Sequence, residues 1–295
     1  MKAVIINLRQ LRLLLIAIPL LLVFTFLYKY TLPKVEEEHL FQPEPKKLHG
    51  EFLTWTEARK YFNKYSSATV IDLDTGQQYN IQRRGGSSHA DVQPLTAEDT
   101  ATMKAIYNGK WSWKRRAVIV ELENGRKIAA SMNGMPHGRG AIAGNNFNGH
   151  SCIHFRDSTT HGSRKVDLAH QMMVWKAANV VEKQIKTLGP EDSIKLFFTA
   201  IDQGEMKLAG SLLDGEEESA ILELFRSYDY IRVSAITRLN DNIFKVNVLL
   251  GYDSGRKQLQ KDISLKMVKK NSYWHIDVGS IVVLLQQPGL NSRQS

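Results

Sequence analysis

Residues 136–162 read PHGRGAIAGNNFNGHSCIHFRDSTTHG, and the rest of the chain is organised around them. Glycine and asparagine fill the first half (Gly138, Gly140, Gly144, Asn145, Asn146, Asn148, Gly149), which is the composition of a loop. His150-Ser151-Cys152-Ile153-His154-Phe155 then reads as a short strand. Strand side chains alternate between faces, so His150, Cys152 and His154 share one face while Ile153 and Phe155 face a core. The stretch holds the only cysteine and four of the nine histidines: His137, His150, His154 and His161. His170 follows shortly after. Most side chains able to attack a carbonyl or move a proton near neutral pH are thus gathered in one segment.

Upstream the pattern is mostly β. Residues 54–65 have helical spacing, with Trp55, Ala58, Tyr61, Phe62 and Tyr65 on one side and Thr54 or Thr56 as cap. Residues 68–74 and 78–82 form a hairpin about Thr75-Gly76. Gly85-Gly86 and two serines make a loop carrying His89-Ala90-Asp91, and Thr96 caps a helix with Glu98 and Asp99 in its first turn. A second hairpin joins strands at 117–121 and 127–131 through Glu123-Asn124-Gly125, led in by Trp111 and Trp113 among four basic residues. Downstream, residues 166–188 read as one helix capped by Asp167 and ended by Gly189-Pro190. Its stripe is Val174, Ala177, Ala178, Val181, Ile185 and Leu188, and His170 lies on that stripe, pointing inward.

From Glu191 the texture changes. Helical segments at 192–203, 206–213 and 216–228 precede alternating strands at 230–239, 243–252, 257–268 and 273–284. Their turns, Asn240-Asp241-Asn242, Asp253-Ser254-Gly255 and Asn271-Ser272, suit tight hairpins. Helices followed by an antiparallel meander make an α+β unit.

The chain's 295 residues allow about two domains at roughly 150 residues each. An apolar fraction of 43% and a charged fraction of 23% belong to a folded protein. Five of the +9 formal charges (Lys2, Arg9, Arg12, Lys29, Lys34) lie in the first 34 residues, leaving a weak bias elsewhere and no nucleic-acid module. Residues 13–28 are uncharged and apolar, followed by no small-x-small cleavage site. They read as an uncleaved signal anchor with the Arg9 and Arg12 side in the cytoplasm; a cleaved signal peptide is the alternative with the same compartment. A lone cysteine fits an extracytoplasmic, single-pass membrane protein without internal disulfides. The organisation expected is an anchor at 1–31, a Pro/Glu/Lys spacer at 32–50, a mostly β domain with flanking helices at 51–189, an α+β domain at 190–286 and a tail at 287–295.

The order His137, Gly/Asn loop, His150-Ser151-Cys152-Ile153-His154 resembles the catalytic motif of L,D-transpeptidases of the YkuD type, over roughly residues 68–155. The resemblance implies Cys152 as nucleophile, His137 as base, His150 as the supporting motif histidine and His154 as the trailing polar residue. Gly149 stands where that motif has Ser or Thr, Ser151 where it has glycine, and the spacing from His137 is shorter. Residues 190–286 resemble the cystatin-like, NTF2-like cone of helices on a curved antiparallel sheet, which implies an accessory or homodimerising module. The overall class expected is therefore α+β.

A free thiol has a pKa near about 8.5, and a neighbouring imidazolium is expected to lower it and supply thiolate. Attack on a peptide carbonyl then gives a thioester that an amine or water resolves. For an anchored enzyme outside the cytoplasm the resemblance implies peptidoglycan stem peptides, with no metal or cofactor. His89, Asp91, Ser151, Asn146, Trp113, His161 and His170 are candidates to bind or orient the substrate. Two readings stay open beside this one. A zinc peptidase or amidase would take ligands from His150, Cys152 and His154, or from His89, Asp91 and His154. A non-catalytic wall-binding or sensing module would keep the cleft without turnover.

Overall fold

Tight turns close the two expected hairpins. β1 (Ser67–Asp72) pairs with β2 (Gln78–Gly85), Ser67 opposite Gln82. At the bend Asp72 Oδ1 accepts from the Thr75 backbone N–H and hydroxyl at 2.9 and 2.8 Å. β4 (Arg115–Leu122) pairs with β5 (Lys127–Asn133) from Arg115↔Asn133 to Glu121↔Lys127. Between the hairpins α2 (Ala97–Ile106) starts at Thr96, whose side chain accepts from the Asp99 N–H while Asp99 returns the bond.

A computed structural model describes residues 48–140, 142–216 and 218–285. The expected anchor at 1–31, the spacer up to residue 47 and the tail at 287–295 lie outside the described residues. Among the described residues no helix is long and apolar enough to cross a membrane.

The segment after Gly86 corrects the expectation of a loop. Ala90–Pro94 is a strand, β3, bonded to β2 on one side and to β6 (Ser151–His154) on the other. The segment is short, holds Asp91, a residue of low strand propensity, and ends in Pro94, so its strand character comes from partners distant in sequence. With β3 in place six antiparallel strands close into a barrel, in the order β1-β2-β3-β6-β5-β4. Val70, Ile81, Val92, Val118, Val120, Ile128, Ala130, Met132 and Ile153 fill its interior, all fully buried.

The helix expected at 54–65 is shorter. α1 (Trp55–Ala58) is capped by Thr54 with Glu57, and Trp55, Ala58 and Phe62 are buried as expected. Tyr61 and Tyr65 are exposed, because β2 captures the chain beyond the helix: the Tyr65 N–H donates to Arg83 O (2.7 Å) and Arg83 donates to Phe62 O (2.5 Å).

The single helix expected at 166–188 is two, α3 (Leu168–Ala177) and α4 (Val181–Ile185). Asp167 caps α3 by accepting from the His170 N–H, as read. α3 ends in a Schellman turn: Asn179 takes the left-handed conformation (φ 57°), its N–H donates to Lys176 O and the Val180 N–H donates to Trp175 O. Asparagine performs the task that glycine usually signals. Ile71, Ala117, Ile119 and Ala129, on the outside of the barrel, share one apolar cluster with α3 and the C-terminal elements. β4 is therefore buried on both faces, which is why residues 117–120 read AVIV without alternation.

The C-terminal half is α+β. α5 (Pro190–Gln203), α6 (Met206–Ser211) and α7 (Glu218–Phe225) precede a five-stranded sheet. Its order is β7-β11-β10-β9-β8, with β7 (Leu213–Asp214), β8 (Tyr230–Arg238), β9 (Ile243–Tyr252), β10 (Lys257–Lys270) and β11 (Tyr273–Asp277). The fourth strand expected to reach residue 284 stops at Asp277, and α8 (Val278–Leu285) follows. The Lys266 N–H donates to Ser280 Oγ (3.1 Å), so the ladder is diverted where the apolar run alone suggested more strand. α5 presses Phe197 and Phe198 into the core, where both meet Phe225 edge-on. Phe197→Ala should cost about 3–5 kcal/mol, read as a lowered urea midpoint; a change below about 1 kcal/mol would place this ring outside the cooperative core.

Candidate functional site

The site lies where β3, β6 and the Gly/Asn loop meet. His137 and His150 face each other as a two-residue antiparallel bridge, His137 N–H to His150 O at 3.0 Å and His150 N–H to His137 O at 2.8 Å. Two glycines make this approach feasible. Gly149 has φ 117°, and a Cβ there would stand 2.5 Å from His137 O; a Cβ on Gly138 would stand 2.4 Å from His150 Cε1. The glycine at 149, a departure from the transpeptidase pattern, is thus required by this bridge. Gln93 ties the loop down by donating to Gly149 O and accepting from the Ile142 N–H. Asn145, not Asn146, anchors the loop's far end: its Nδ2 donates to Pro94 O (2.8 Å), while Asn146 is exposed with φ 56°.

Cys152 Sγ lies 3.1 Å from His137 Nε2. His137 Nδ1 is 2.8 Å from Met135 O, and a carbonyl only accepts, so Nδ1 carries the proton and Nε2 presents a lone pair to the thiol. Trp113, half exposed, packs its ring against His137 at 5.2 Å. Asp91, one of the orienting candidates, stands at the centre of the cluster. Register places it opposite Cys152 in the β3–β6 ladder, and its Oδ1 gathers His161 Nε2 (3.2 Å), His89 Nε2 (3.3 Å) and His150 Nε2 (3.7 Å). Burial works against the Asp91 carboxylate, but the His89 hydrogen bond and the nearby His150, His89 and His161 rings outweigh it and hold its pKa below the usual value.

The thiol is pushed the other way from expectation. Burial first, then the Asp91 charge, raise the Cys152 pKa, and only 4% of the residue is exposed. Burial likewise lowers the pKa of His137, with the His150 and His161 charges adding to it against the Met135 hydrogen bond. The resting pair is therefore neutral thiol and neutral imidazole, not a standing thiolate–imidazolium. Asp91→Asn should raise the rate of Cys152 alkylation at neutral pH, by about tenfold for each pKa unit released. A slower or unchanged rate measured against pH would contradict that role for Asp91.

His154 corrects a further expectation. It follows Cys152 on the same face, yet its ring is sandwiched between His89 (4.4 Å, 12°) and His170 (3.7 Å, 6°), and its Nδ1 is buried without a hydrogen-bond partner. His170 is inward as read, 2% exposed, with Nδ1 2.8 Å from Ser131 Oγ. Ser151 is buried opposite Val92. Among the described residues two donor sets have their atoms within 4.8 Å of one another: His137, His150, Cys152 and His161, and His89, Asp91, Cys152 and His161. His154 belongs to neither; beside His150 and Cys152 stand His137 and His161, and beside His89 and Asp91 stand Cys152 and His161.

No protein-family model matches the chain, and no curated protein matches it. Among solved structures, Bd1075 of Bdellovibrio bacteriovorus is 13% identical and aligns over 76% of this chain and 94% of that one, with a TM-score of 0.23. An NTF2-like protein involved in plasmid conjugation is 14% identical over 73% of this chain and 71% of that one, with a TM-score of 0.19. Likeness at that level assigns neither a fold family nor a function.

Proposed function

We propose that the protein is a cysteine-dependent acyltransferase of L,D-transpeptidase type, anchored outside the cytoplasm and acting on peptidoglycan stem peptides through a thioester. The observation that carries this reading is the Cys152–His137–Met135 line: sulfur 3.1 Å from Nε2, with Nδ1 fixed 2.8 Å from a carbonyl. Nucleophile, base and orienting group are the three parts that covalent acyl transfer needs.

With both partners neutral at rest, proton transfer accompanies attack. The S–H proton passes to His137 Nε2 as Sγ bonds to the substrate carbonyl carbon, and the amide C–N bond breaks with that proton delivered to the leaving amine. An acceptor amine or water then attacks the thioester, and His137 returns a proton to Sγ. The exposed face of Trp113, beside His137, offers a stacking surface for a sugar ring at the mouth of the site.

The test is turnover of muropeptide stem peptides by the full-length chain, followed by mass spectrometry in the presence of a chelator. Cys152→Ser is expected to abolish exchange or hydrolysis, and the wild type to accumulate a thioester adduct on Cys152. Turnover that survives Cys152→Ser would refute the reading.

A further inference from the structure

Three of the imidazoles around Cys152 are oriented in one common way. Nδ1 of His137 faces Met135 O (2.8 Å), Nδ1 of His150 faces Arg139 O (3.3 Å) and Nδ1 of His89 faces Thr159 O (2.7 Å). Carbonyls only accept, so each ring donates from Nδ1 and turns its Nε2 atom toward Cys152 and Asp91. Cys152 Sγ stands 3.1 Å from His137 Nε2, and His161 Nε2 stands 2.9 Å from His89 Nε2 and 3.2 Å from Asp91 Oδ1. His150 Nε2 is buried without a hydrogen-bond partner, 3.7 Å from Asp91 Oδ1. Imidazole nitrogens, the thiol and a carboxylate thus converge on one centre.

Anchoring the far nitrogen on a backbone carbonyl is how proteins aim metal-binding histidines. We propose that His137, His150, Cys152 and His161 form a binding site for a thiophilic divalent transition cation, zinc being the type, and that loading it switches the thiol off. Imidazole and thiolate donors select such a cation over magnesium or calcium. Four donors around one zinc ion stand about 3.5 Å apart, from bonds of about 2.0–2.3 Å, so a set already within 4.8 Å needs only small side-chain movements. Binding releases the Cys152 S–H proton to solvent, and His161 binds through Nε2 as the tautomer with its proton on Nδ1, with no change of oxidation state. All four positions are filled by protein, which leaves none for a water and makes the site closed rather than hydrolytic. Asp91 remains outside the shell as a compensating charge. The inhibitory half of this proposal rests on the thiol reading; the cation site rests on the donors alone.

The experiment titrates the chelator-stripped full-length chain with cobalt(II) as probe, then with zinc as competitor, while following Cys152 alkylation. One equivalent of cobalt should give a thiolate-to-metal charge-transfer band. Saturating zinc should remove the band, slow alkylation by about 100-fold and be reversed by chelator. His161→Ala should weaken cobalt binding by about 10–100-fold, the scale of a lost supporting contact or more, and its half-exposed side chain makes misfolding an unsuitable explanation. Absence of the band, or alkylation indifferent to zinc, overturns the site. A band lost in Asp91→Asn but kept in His150→Ala overturns this donor set in favour of the other. Turnover by stripped protein is read separately. If it is absent while cobalt binds, the acyltransferase reading fails and the site stands; if it is present and no cation binds, only the site fails.

Discussion

His137→Gln should reduce Cys152-dependent turnover by about 10²–10⁴-fold, equivalent to roughly 3–5 kcal/mol of transition-state stabilisation. The size follows from the burial of the thiol. Burial and the Asp91 charge both oppose free thiolate, so at neutral pH little nucleophile exists unless a base removes the proton during attack. His137 is the group placed to do so, with Nε2 3.1 Å from Sγ and its tautomer set by Met135 O. Glutamine fills similar space and cannot take the proton. The pH profile separates this from a folding defect. The lowered His137 pKa places the acid limb of wild-type turnover below pH 6.5, since the base works only while neutral. In His137→Gln that limb should vanish and the residual rate should climb with pH as the thiol itself ionises. A variant with wild-type rate and an unchanged acid limb would remove His137 from the mechanism.

Mild acid should destabilise the fold through the buried imidazole stack. Burial first, then His170 and His89, lower the pKa of His154; burial first, then Arg115 and His89, lower that of His170. Both are about 2% exposed and packed ring on ring at 3.7 Å. In the unfolded chain each takes up a proton near the ordinary value of about 6.5, whereas in the folded chain neither does. The unfolded state therefore binds more protons below that pH. Stability is complete above about pH 6.5 and falls, by up to roughly 3 kcal/mol per pH unit for the two groups, until the folded pKa values are reached. Asp91, lowered from an ordinary carboxylate value, adds its loss only below about pH 4, a separate window. Urea midpoints at pH 7.5 and 5.5 measure the effect, and His170→Gln, which keeps an acceptor for Ser131, should flatten the slope by about half. Equal midpoints at the two pH values would contradict a neutral stack.

The two effects share a cause. Closing the barrel with β3 brings Asp91 against Cys152 and buries the histidines behind it, so the site that acquires a base also loses free solvation. That is the physical tension of the site: the thiol is protected and directed, at the cost of needing His137, and the donor atoms converging beside it suit a cation.

Local pattern was enough for much of this protein. Alternation and turn chemistry located β1, β2, β4, β5 and the C-terminal meander, caps located α2 and the start of α3, and clustering of His and Cys located the site. Those features depend on neighbours within a few residues, where φ/ψ preference and side-chain period act directly. Other features depend on partners far along the chain. β3 is a strand because β2 and β6 bond it on both edges, which its Asp and Pro conceal. The break at Asn179 needed a left-handed cap that glycine did not announce. The direction of the Cys152 pKa depended on burial and on Asp91, 61 positions earlier in sequence, so adjacent histidines misled. Sequence alone thus determined which chemical groups this protein gathers and the α+β character of the chain. Only the tertiary structure decided which of them touch, because strand register and desolvation, not spacing, set His137 on the thiol, Asp91 opposite it and His154 behind them both.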